Sequence, residues 1–599
     1  MDREFHRRLF LRGALLAGAG LASSGGSRPT ATRTFDSPLI FHSPPMRPFV
    51  DELRRPPVIS GSALAITAEG GRHQFHRDFD AVPALGYGGE TYLGPTIEGQ
   101  VGEALTLTSA NRLGEHPLGL DMDTSLHGVD ESHRHAPPTS LHLHGGVTPP
   151  DSDGHPLRAI GPGQDITHTF PNQQSSAHLW YHDHAMGITR LNVYAGLAGM
   201  FFLRDEYDTG RLGNPLGLPA EDFEMPLVLQ EKIFTADGRQ TIRSTPIVPQ
   251  GSWEGGAVGD IGVVNGKVWP RMSVARGLYR FRIINGASYS VWNLHLSNGM
   301  PIFAIGNEHG FLDAPVPTNN FRLSPGERID VLVDFSGLDE GDTVELLNDE
   351  QPPFQAAILG EIAMPMFCRF VADARRGFSG GIPRSLRGGP RQPALLPPLE
   401  VPTRTRTVTL SQPYALRIPP AIMSLNNLRF DSTDIEMPRQ GTVEQWDIVN
   451  TTPDPHPIHL HLVVFRVLGR APLKTFEYQA AHPQPPIGTR WTPSVDGFLA
   501  GPMSPAAPWE SGWKDTVRAD GGTVTRIVVR FPTADELGFD PDALFGPAHA
   551  PETMAEHTED HSAHGGPTTA DQTIQGYVWH CHILDHEDHD MMLKYRVVP

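Results

Sequence analysis

The chain has 599 residues, a formal net charge of −20 at pH 7 and an ordinary hydrophobic content of 39%. This length is too great for one hydrophobic core and indicates about two to four domains. The acidity argues against nucleic acid or an anionic membrane surface as a partner, because both would repel the protein. The chain contains no apolar run of the length that a membrane-spanning helix needs, so no membrane span is predicted.

The N-terminus has the pattern of an export signal. The run Arg-Arg-Leu-Phe-Leu-Arg at 7–12 is followed by a short apolar stretch at 13–22 that ends in small residues. This pattern predicts a twin-arginine export signal and a flexible N-terminus over residues 1–35; the alternative is a basic N-terminus without function. We therefore expect a bacterial protein that the twin-arginine export machinery carries to the periplasm or the exterior. The cleavage site, and whether a cofactor is loaded before export, stay open.

Short β-rich runs recur along the chain between Gly, Pro, Asn and Asp turns, while strong helical patterns are scarce. Examples are residues 278–284, 329–335 and 524–531. Strands at this spacing predict an all-β protein made of sandwiches or barrels. Shifts in composition mark linkers near 204–222 and 375–402, which leaves three domains of about 150–200 residues. The predicted segments are domain one at 36–205, domain two at 223–375, a linker at 376–402 and domain three at 403–599.

Three His-x-His pairs lie in strand-like surroundings. The pairs are His142 and His144 in Ser-Leu-His-Leu-His-Gly-Gly, His182 and His184 in Trp-Tyr-His-Asp-His-Ala, and His459 and His461 in His-Pro-Ile-His-Leu-His, which begins at His456. Residues two apart in a strand share a face, so both rings of a pair can bind one metal centre. A single pair has little specificity and is by default a buried or surface pair without function. The set of pairs favours a metal centre.

A fourth motif near the C-terminus combines a thiol, imidazoles and a thioether. Cys581 lies between His580 and His582, and His586 and Met591 follow it after five and ten residues. A Cys, a His and a weak axial Met are three of the four ligands of a blue-copper electron-transfer site. Because neighbouring side chains of a strand point to opposite faces, His580 and His582 should face a second site when Cys581 faces the first.

The four motifs stand in the order of the copper-binding motifs of the multicopper oxidases. The chain resembles most closely the branch of spore-coat laccases, bilirubin oxidases and phenoxazinone synthases, in the stretches 142–154, 171–174, 180–196, 512–516 and 580–592. The resemblance covers nearly the whole chain after the N-terminal segment. It implies three cupredoxin-like Greek-key β-sandwich domains and four copper ions, one of type 1, one of type 2 and two of type 3, with no cofactor beyond copper.

The resemblance also assigns the copper ligands, and every position holds the expected type of residue. The type 1 copper would take His456, Cys581, His586 and the axial Met591, with Met592 as the only rival. The type 2 copper would take His142 and His459. The two type 3 coppers would take His144, His182, His184, His461, His580 and His582. The first two motifs belong to domain one and the others to domain three, so the trinuclear site is expected at the interface of these domains.

The implied activity is laccase-like. Phenolic or aminophenolic donors, bilirubin-like compounds among them, would each give one electron, and four electrons would reduce O₂ to water. The Cys581 peptide would join the type 1 site to His580 and His582. Glu587 and Asp153 correspond to acids along the oxygen pathway of this branch, and each is expected either to relay protons or to orient a histidine. The donor pocket is expected near His456 and His586, with Pro502, Met503 and Trp509 as candidate lining residues.

Two other functions remain open. The first alternative is a metallo-oxidase acting on Cu(I), Mn(II) or Fe(II). The two polar insertions of the chain, at 120–138 and 546–571, are not Met-rich, which weakens the case for Cu(I). The remote alternative is a copper-free cupredoxin used as a binding protein, which would lack the Cys and most of the His ligands. The nature of the donor and the oligomeric state cannot be inferred.

Two His-bearing insertions and a second cysteine complete the sequence features. The insertions lie at 120–138, with His127, His133 and His135, and at 546–571, with His549, His557, His561 and His564. We expect both to be disordered polar segments rather than loops that acquire copper. Cys368 is expected to be a buried, unreactive thiol.

Overall fold

A computed structural model describes residues 37–361, 364–412, 422–548 and 573–599. The predicted export signal and all four histidines of the 546–571 insertion lie outside these residues. Within them, no helix is both long enough and apolar enough to cross a membrane. The sheets fall into three successive groups along the chain, which we call the first, second and third sheet pairs, and the all-β prediction is confirmed.

The first sheet pair lies between residues 58 and 204. Its elements are β1 Val58–Ser60, β2 Ala63–His73, β3 Val82–Tyr87, β4 Thr96–Gln100, β5 Leu105–Arg112, β6 Leu141–His144, β7 Asp165–Phe170, β8 Ala177–Asp183, helix α1 Thr189–Ala195 and β9 Ala198–Arg204. One sheet has the order β1-β4-β9-β8-β6 and the other β3-β2-β5-β7. Ile66, Leu107 and Leu179 belong to the core between them.

The second sheet pair lies between residues 224 and 376. Its elements are β10 Glu224–Phe234, β11 Gln240–Thr241, β12 Ile261–Val264, β13 Lys267–Val268, β14 Arg271–Arg276, β15 Leu278–Asn285, β16 Trp292–Leu296, β17 Ile302–Asn307, β18 Gly310–Thr318, β19 Asn320–Leu323, β20 Arg328–Asp334, β21 Thr343–Asn348, helix α2 Phe354–Leu359 and β22 Met366–Arg376. The orders are β13-β12-β10-β15-β20-β17-β18 and β14-β22-β21-β16-β19. Cys368 is fully buried in β22, as predicted.

The third sheet pair lies between residues 404 and 595. Its elements are β23 Arg404–Ser411, β24 Ser424–Leu425, β25 Val443–Asn450, β26 His456–Leu460, β27 Phe465–Pro472, helix α3 Thr475–Ala481, β28 Ser504–Pro505, β29 Thr516–Ala519, β30 Thr523–Arg530, helix α4 Ala534–Leu537, β31 Leu544–Phe545, β32 Ile574–Gln575, β33 Tyr577–Cys581, helix α5 Leu584–Glu587 and β34 Met592–Tyr595. The orders are β24-β23-β25-β30-β27-β28 and β29-β26-β33-β34.

The strands predicted from the sequence are present, and their neighbours are not always consecutive. Residues 278–284, 329–335 and 524–531 coincide with β15, β20 and β30 to within a residue at either end. Strand β4 pairs in parallel with β9, and β23 pairs in parallel with β25, which requires crossover connections of the Greek-key kind. The predicted domain limits at 205, 223 and 403 fall between the sheet pairs, and the limit at 375 lies one residue before the end of β22; as domain boundaries all four remain predictions.

The segment 120–138 is ordered, so the prediction of a disordered insertion is wrong for this part of the chain. It contains two short 3₁₀ helices, Gly119–Asp121 and Glu131–Arg134, and the Asp130 side chain caps the second. Leu126 is buried in the core of the third sheet pair. This apolar anchor and the capping hydrogen bonds offset the entropic cost of ordering a polar segment.

The pairing of strands brings the four histidine motifs together two by two: the first two motifs lie on neighbouring strands of the first sheet pair, and the last two lie on neighbouring strands of the third. In the first sheet pair β6 runs antiparallel to β8, and His142 lies opposite His182. In the third, β26 runs antiparallel to β33, and His459 lies opposite His580. Directly opposite residues project to the same face of a sheet, so each sheet pair presents one group of imidazoles to the other.

Candidate metal centre

Eight histidines from the first and third sheet pairs meet in one buried cluster. The cluster consists of His142, His144, His182, His184, His459, His461, His580 and His582. Two ring stacks join the sheet pairs, because His144 stacks on His459 with centroids 3.6 Å apart and His142 stacks on His461 at 3.9 Å. The cluster therefore lies at the interface of the first and third sheet pairs, as the order of the motifs along the chain predicts.

Most of these rings have one nitrogen held by a hydrogen bond and the other unpaired. The Nδ1 atoms of His142, His182 and His459 donate to the main-chain oxygens of Asp153, Asp183 and Asp515, at 2.5, 2.8 and 2.9 Å. Their Nε2 atoms are buried without a hydrogen-bond partner among the described residues. His144 has the opposite orientation, with Nε2 bonded and Nδ1 unpaired, and both nitrogens of His582 are unpaired. Buried nitrogens that lack partners are costly unless they bind something.

The unpaired nitrogens are neutral donors at the right spacing for metal ions. Three groups place one donor atom each within 4.8 Å of the others: His142, His144 and His182; His142, His459 and His461; and His184, His461 and His580. Burial lowers the pKa of these imidazoles, to about 4 for His184 and His580, so their lone pairs are available for a metal. Neutral imidazole suits copper, and the residues present fit the trinuclear site that the sequence predicts.

A second donor set surrounds Cys581. Its Sγ lies 3.4 Å from His456 Nδ1 and 3.7 Å from His586 Nδ1, and these two nitrogens lie 3.2 Å apart. The outer nitrogens are held, since His456 Nε2 is hydrogen-bonded to Thr452 Oγ1 at 2.8 Å and His586 Nε2 donates to Gly255 O at 3.2 Å. Burial raises the pKa of the Cys581 thiol well above its ordinary value, so a thiolate here requires a metal cation.

Met591, rather than Met592, packs beside Cys581. Its backbone closes the loop around the site, because Cys581 N donates to Met591 O and Met591 N donates to His586 O, both at 3.0 Å. The Met591 side chain is fully buried in the same core cluster as Cys581. Met592 instead packs in a separate cluster that includes Phe430.

Asp153 and Glu587 lie behind the cluster histidines. The Asp153 carboxylate accepts from His461 Nδ1 at 2.7 Å and from Thr148 Oγ1 at 3.2 Å, and burial raises its pKa to about 8. Glu587 places Oε2 at 3.1 Å from His580 Nδ1 and Oε1 at 3.4 Å from His184 Nδ1. Burial raises the pKa of Glu587 too. Both acids contact histidines on the side away from the cluster.

One cavity close to the Cys581 site is lined by the second sheet pair and by the N-terminal segment. Gly255 and Tyr289 form its inner wall, and the Tyr289 ring lies 5.2 Å from the His586 ring between centroids. The other lining residues are Ile40, Ser244, Thr245, Glu254, Gly256, Ala356, Leu359 and Glu361.

Pro502, Met503 and Trp509 do not line this cavity, and their place in the donor pocket stays a prediction. Trp509 lines another cavity, beside Arg322 and Arg518. The loops that carry Pro502 and Met503 follow β27 in sequence, whereas the cavity is closed by segments that are distant in sequence from His586.

The histidines of the 120–138 insertion do not join either donor set. His127 contacts Asp590 at 3.3 Å, His135 contacts Glu115 at 2.8 Å, and His133 serves the cap of a 3₁₀ helix. Each of these histidines has a hydrogen-bonding or ionic partner of its own. None of them belongs to a group of metal-binding geometry among the described residues.

A buried network of charged side chains lies next to the cluster, and the sequence does not predict it. The Asp515 carboxylate lies 3.0 Å from His144 Nε2 and is paired with Arg328 and His309 of the second sheet pair. Asp515 lies in Gly-Trp-Lys-Asp-Thr at 512–516, one of the stretches that resemble the multicopper oxidases. Arg328 and His309 stand in no motif, so no sequence signal marks them.

Comparison with known proteins identifies the family. Two family models described as multicopper oxidase match residues 132–208 and 397–538. The laccase of Bacillus subtilis (strain 168) is 35% identical over 549 residues, covering 88% of this chain and 92% of that protein. Multicopper oxidase LPR1 of Arabidopsis thaliana is 31% identical over 592 residues, covering 93% and 94%. The structure of the McoA multicopper oxidase from the hyperthermophile Aquifex aeolicus aligns with a TM-score of 0.67 at 24% identity, covering 92% and 99%.

The chain therefore belongs to the multicopper oxidase family, near its laccases. The resemblance drawn from the four motifs is confirmed, as is the all-β, cupredoxin-like fold. The chain is a copper-dependent oxidoreductase that uses O₂ as acceptor. The alternative that the chain is a copper-free binding protein is excluded, because the donor atoms of both sites are present and buried together.

Proposed function

We propose that the protein is a laccase-like oxidase that takes single electrons from phenolic or aminophenolic donors and reduces O₂ to water with four of them. The observation that carries the proposal is the adjacency of two donor sets. Cys581 belongs to one set and its neighbour His580 to the other, so a single peptide unit connects a thiolate site to the histidine cluster. A one-electron donor requires this division, because O₂ must receive several electrons before any partly reduced product is released.

The residues that hold the metal follow from the two donor sets. We assign one type 1 copper to His456, Cys581, His586 and Met591. We assign one type 2 copper to His142 and His459, and two type 3 coppers to His144, His182, His184, His461, His580 and His582. When bound, the copper ions supply the electron transfer and the binding of O₂.

Asp153 and Glu587 are assigned to proton supply and to the orientation of histidines. Each carboxyl group contacts the outer nitrogen of a cluster histidine, His461 for Asp153 and His580 for Glu587. Reduction of O₂ to water consumes protons, and burial raises the pKa of both acids, to about 8 for Asp153, which favours the protonated form of each. The contacts support both roles at once, because a group that orients an imidazole is also within reach of the cluster.

The donor port is assigned to the cavity beside His586. Ile40, Ala356 and Leu359 give this cavity apolar walls, and Tyr289 offers an aromatic face. The cavity encloses only about 20 Å³, room for a water molecule, so a phenol would dock at its mouth rather than inside it. His586 itself is fully buried, and its Nε2 donates to Gly255 O. A donor at the mouth of the cavity would therefore approach the Gly255 peptide rather than the imidazole, and one hydrogen bond separates that peptide from the type 1 ligand.

A second candidate function is the oxidation of metal ions, and the acidity of the same cavity favours it. Glu254 and Glu361 line the cavity. Asp454 accepts a hydrogen bond from Phe354 N at 2.6 Å, at the start of the helix α2 that closes the cavity. Ionised carboxylates bind hard cations such as Mn(II) and favour cationic donors over neutral ones. Burial raises the pKa of Glu254 to about 7, so its negative charge is available to such a donor near or above that pH.

A panel of donors distinguishes the two candidates. O₂ uptake would be followed under air with a phenol, an aminophenol, bilirubin, Mn(II), Fe(II) and Cu(I), for the natural sequence and for Glu254→Gln. Turnover of phenols with little dependence on Glu254 supports the laccase proposal. Turnover confined to metal ions, with a KM that rises in Glu254→Gln, overturns it in favour of metal oxidation. Copper analysis that finds far fewer than four ions per chain would refute the assignment of the trinuclear site.

Export by the twin-arginine pathway remains part of the proposal. The paired arginines and the short apolar stretch of the first 35 residues support it, and that pathway carries folded proteins, which suits an enzyme with a bound metal. Replacement of Arg7 and Arg8 by Lys should retain the protein in the cytoplasm. Unchanged appearance of the enzyme outside the cytoplasm would contradict the prediction.

A further inference from the structure

The second sheet pair supplies none of the proposed copper ligands, yet three of its residues reach the histidine cluster. Arg328 begins β20, Gly326 lies in the turn before it, and His309 lies in the turn between β17 and β18. Arg328 is fully buried and His309 is 5% exposed. A buried arginine needs a carboxylate and a full set of acceptors, so the partners of Arg328 indicate what this part of the second sheet pair is built to hold.

The partner is the carboxylate of Asp515, which precedes β29 of the third sheet pair. Its Oδ1 accepts from Arg328 Nη1 at 2.7 Å, and its Oδ2 accepts from Arg328 Nη2 at 2.6 Å and from His309 Nε2 at 2.8 Å. The arginine is fixed further because its Nε donates to His178 O at 2.9 Å. Such a bidentate pair defines the plane and the position of the carboxylate.

Asp515 in turn fixes two cluster histidines. Its Oδ1 lies 3.0 Å from His144 Nε2, and its main-chain oxygen accepts from His459 Nδ1 at 2.9 Å. These are the outer nitrogens of the two rings, whereas His144 Nδ1 and His459 Nε2 are unpaired on the cluster side. Since the rings stack at 3.6 Å, a rotation of either one would disturb the other.

Two glycines show how closely the second sheet pair packs against the histidine cluster. A Cβ on Gly145, which follows His144, would lie 2.5 Å from Asp515 Oδ2 and 2.7 Å from Arg328 Nη2. A Cβ on Gly326 would lie 2.8 Å from His582 Cγ and 3.2 Å from His144 Cε1. Both glycines have positive φ, 84° and 83°, which other residues adopt only with strain. The chain next to His144 therefore packs directly on Asp515 and Arg328, and the turn before Arg328 packs directly on the rings of His582 and His144.

We propose that Asp515, Arg328 and His309 are positioning residues of the trinuclear site, through which the second sheet pair sets the direction of the His144 and His459 donor atoms. The inference rests on the proposed assignment of a type 2 copper to His142 and His459. Asp515 does not act as a ligand itself, because Arg328, His309 and Thr516 Oγ1, which donates to Oδ1 at 2.8 Å, already occupy its oxygens. Loss of the network should weaken type 2 copper binding by about ten- to a hundredfold, as is usual for partners of metal-binding histidines.

The test compares variants of the holoenzyme by electron paramagnetic resonance and by chelator titration. Arg328→Lys keeps the charge but loses the bidentate geometry, and His309→Leu removes one donor while His309→Gln retains one. Arg280→Lys is the matched control, because Arg280 is equally buried in the second sheet pair, and its carboxylate partners Asp208 and Asp330 contact no proposed ligand. Thermal unfolding of each apoprotein measures the purely structural effect.

The expected result is selective. Arg328→Lys and His309→Leu should lose type 2 copper at about ten- to a hundredfold lower chelator concentration and change the hyperfine splitting of the remaining type 2 signal. Their type 1 absorption should stay unchanged, and His309→Gln and Arg280→Lys should resemble the natural protein.

The inference is overturned if Arg328→Lys and His309→Leu keep the natural affinity and spectrum, or if Arg280→Lys alters them equally. Should Arg328→Lys fail to fold, the comparison of His309→Leu with His309→Gln decides alone. Absence of a type 2 signal in the natural protein would refute the four-copper assignment itself.

Discussion

The side chains of Cys581 and His580, neighbours in β33, belong to different donor sets. Cys581 Sγ lies 3.4 Å from His456 Nδ1, whereas His580 Nε2 lies 3.2 Å from His461 Nε2. The alternation of a β-strand produces this separation without any special turn. A substitution in one donor set can therefore be expected to leave the other intact, which makes the two sites separately testable.

Replacement of Cys581 should abolish the type 1 site alone. In Cys581→Ser the intense visible absorption of a copper thiolate should disappear, while the copper of the histidine cluster remains, because no cluster ligand has changed. Absorption spectroscopy with copper analysis checks this. Cys368→Ser is the matched control: this thiol is also fully buried, but it lies in β22 and belongs to no donor set. A blue Cys581→Ser protein would contradict the type 1 assignment.

The axial position can be tested with two neighbouring methionines. Met591→Leu should raise the reduction potential of the type 1 site, because loss of the thioether removes a donor that stabilises the oxidised copper. Met592→Leu should leave the potential unchanged, since Met592 packs against other residues. Both changes conserve volume and should cost less than about 1.5 kcal/mol of stability. Redox titration of the visible band provides the measurement, and equal potentials for the natural protein and Met591→Leu would refute the assignment.

Glu587→Gln should slow the reduction of O₂ without preventing reduction of the type 1 site by a donor. The amide keeps the size of the side chain but cannot deliver a proton, and loss of a general acid costs about a hundredfold or more in rate. Oxygen uptake should fall, while anaerobic bleaching of the visible band should proceed at the natural rate. Unchanged uptake would leave Glu587 with the orientation of His580 as its only role.

The carboxyl of Glu254 should make stability depend on pH. Burial raises its pKa from 4.5 to about 7, so the folded state binds this proton more tightly than the unfolded state. Its contribution to stability is complete below about pH 4.5 and is lost as the pH rises through 7. Relative to the natural protein, Glu254→Gln should gain about 3 kcal/mol between pH 4.5 and pH 8.

Chemical unfolding of the Glu254→Gln variant at a series of pH values measures this difference. The substitution keeps an acceptor for Ser244, which donates to Glu254 Oε2 through its N and its Oγ, both at 2.8 Å. Glu340→Gln, at an exposed position in a turn, is the control for loss of a negative charge. A difference that does not vary with pH would show that Glu254 is ionised in the folded protein.

The sequence alone determined the all-β class, the histidine and cysteine donors, and the opposition of Cys581 to His580. All of these follow from local patterns, because strand alternation and short spacings act within a few residues. The sequence also determined which motifs must come together, through the resemblance of the whole set to one family.

Only the tertiary structure decided what surrounds the donors. It ordered the segment 120–138 by burying Leu126, and it lined the cavity beside His586 with Ile40, Gly255 and residues of helix α2. It also placed Arg328 against Asp515, 187 residues away in sequence. Contacts between residues so far apart depend on how three sheet pairs pack against one another, and no spacing within the chain encodes that packing.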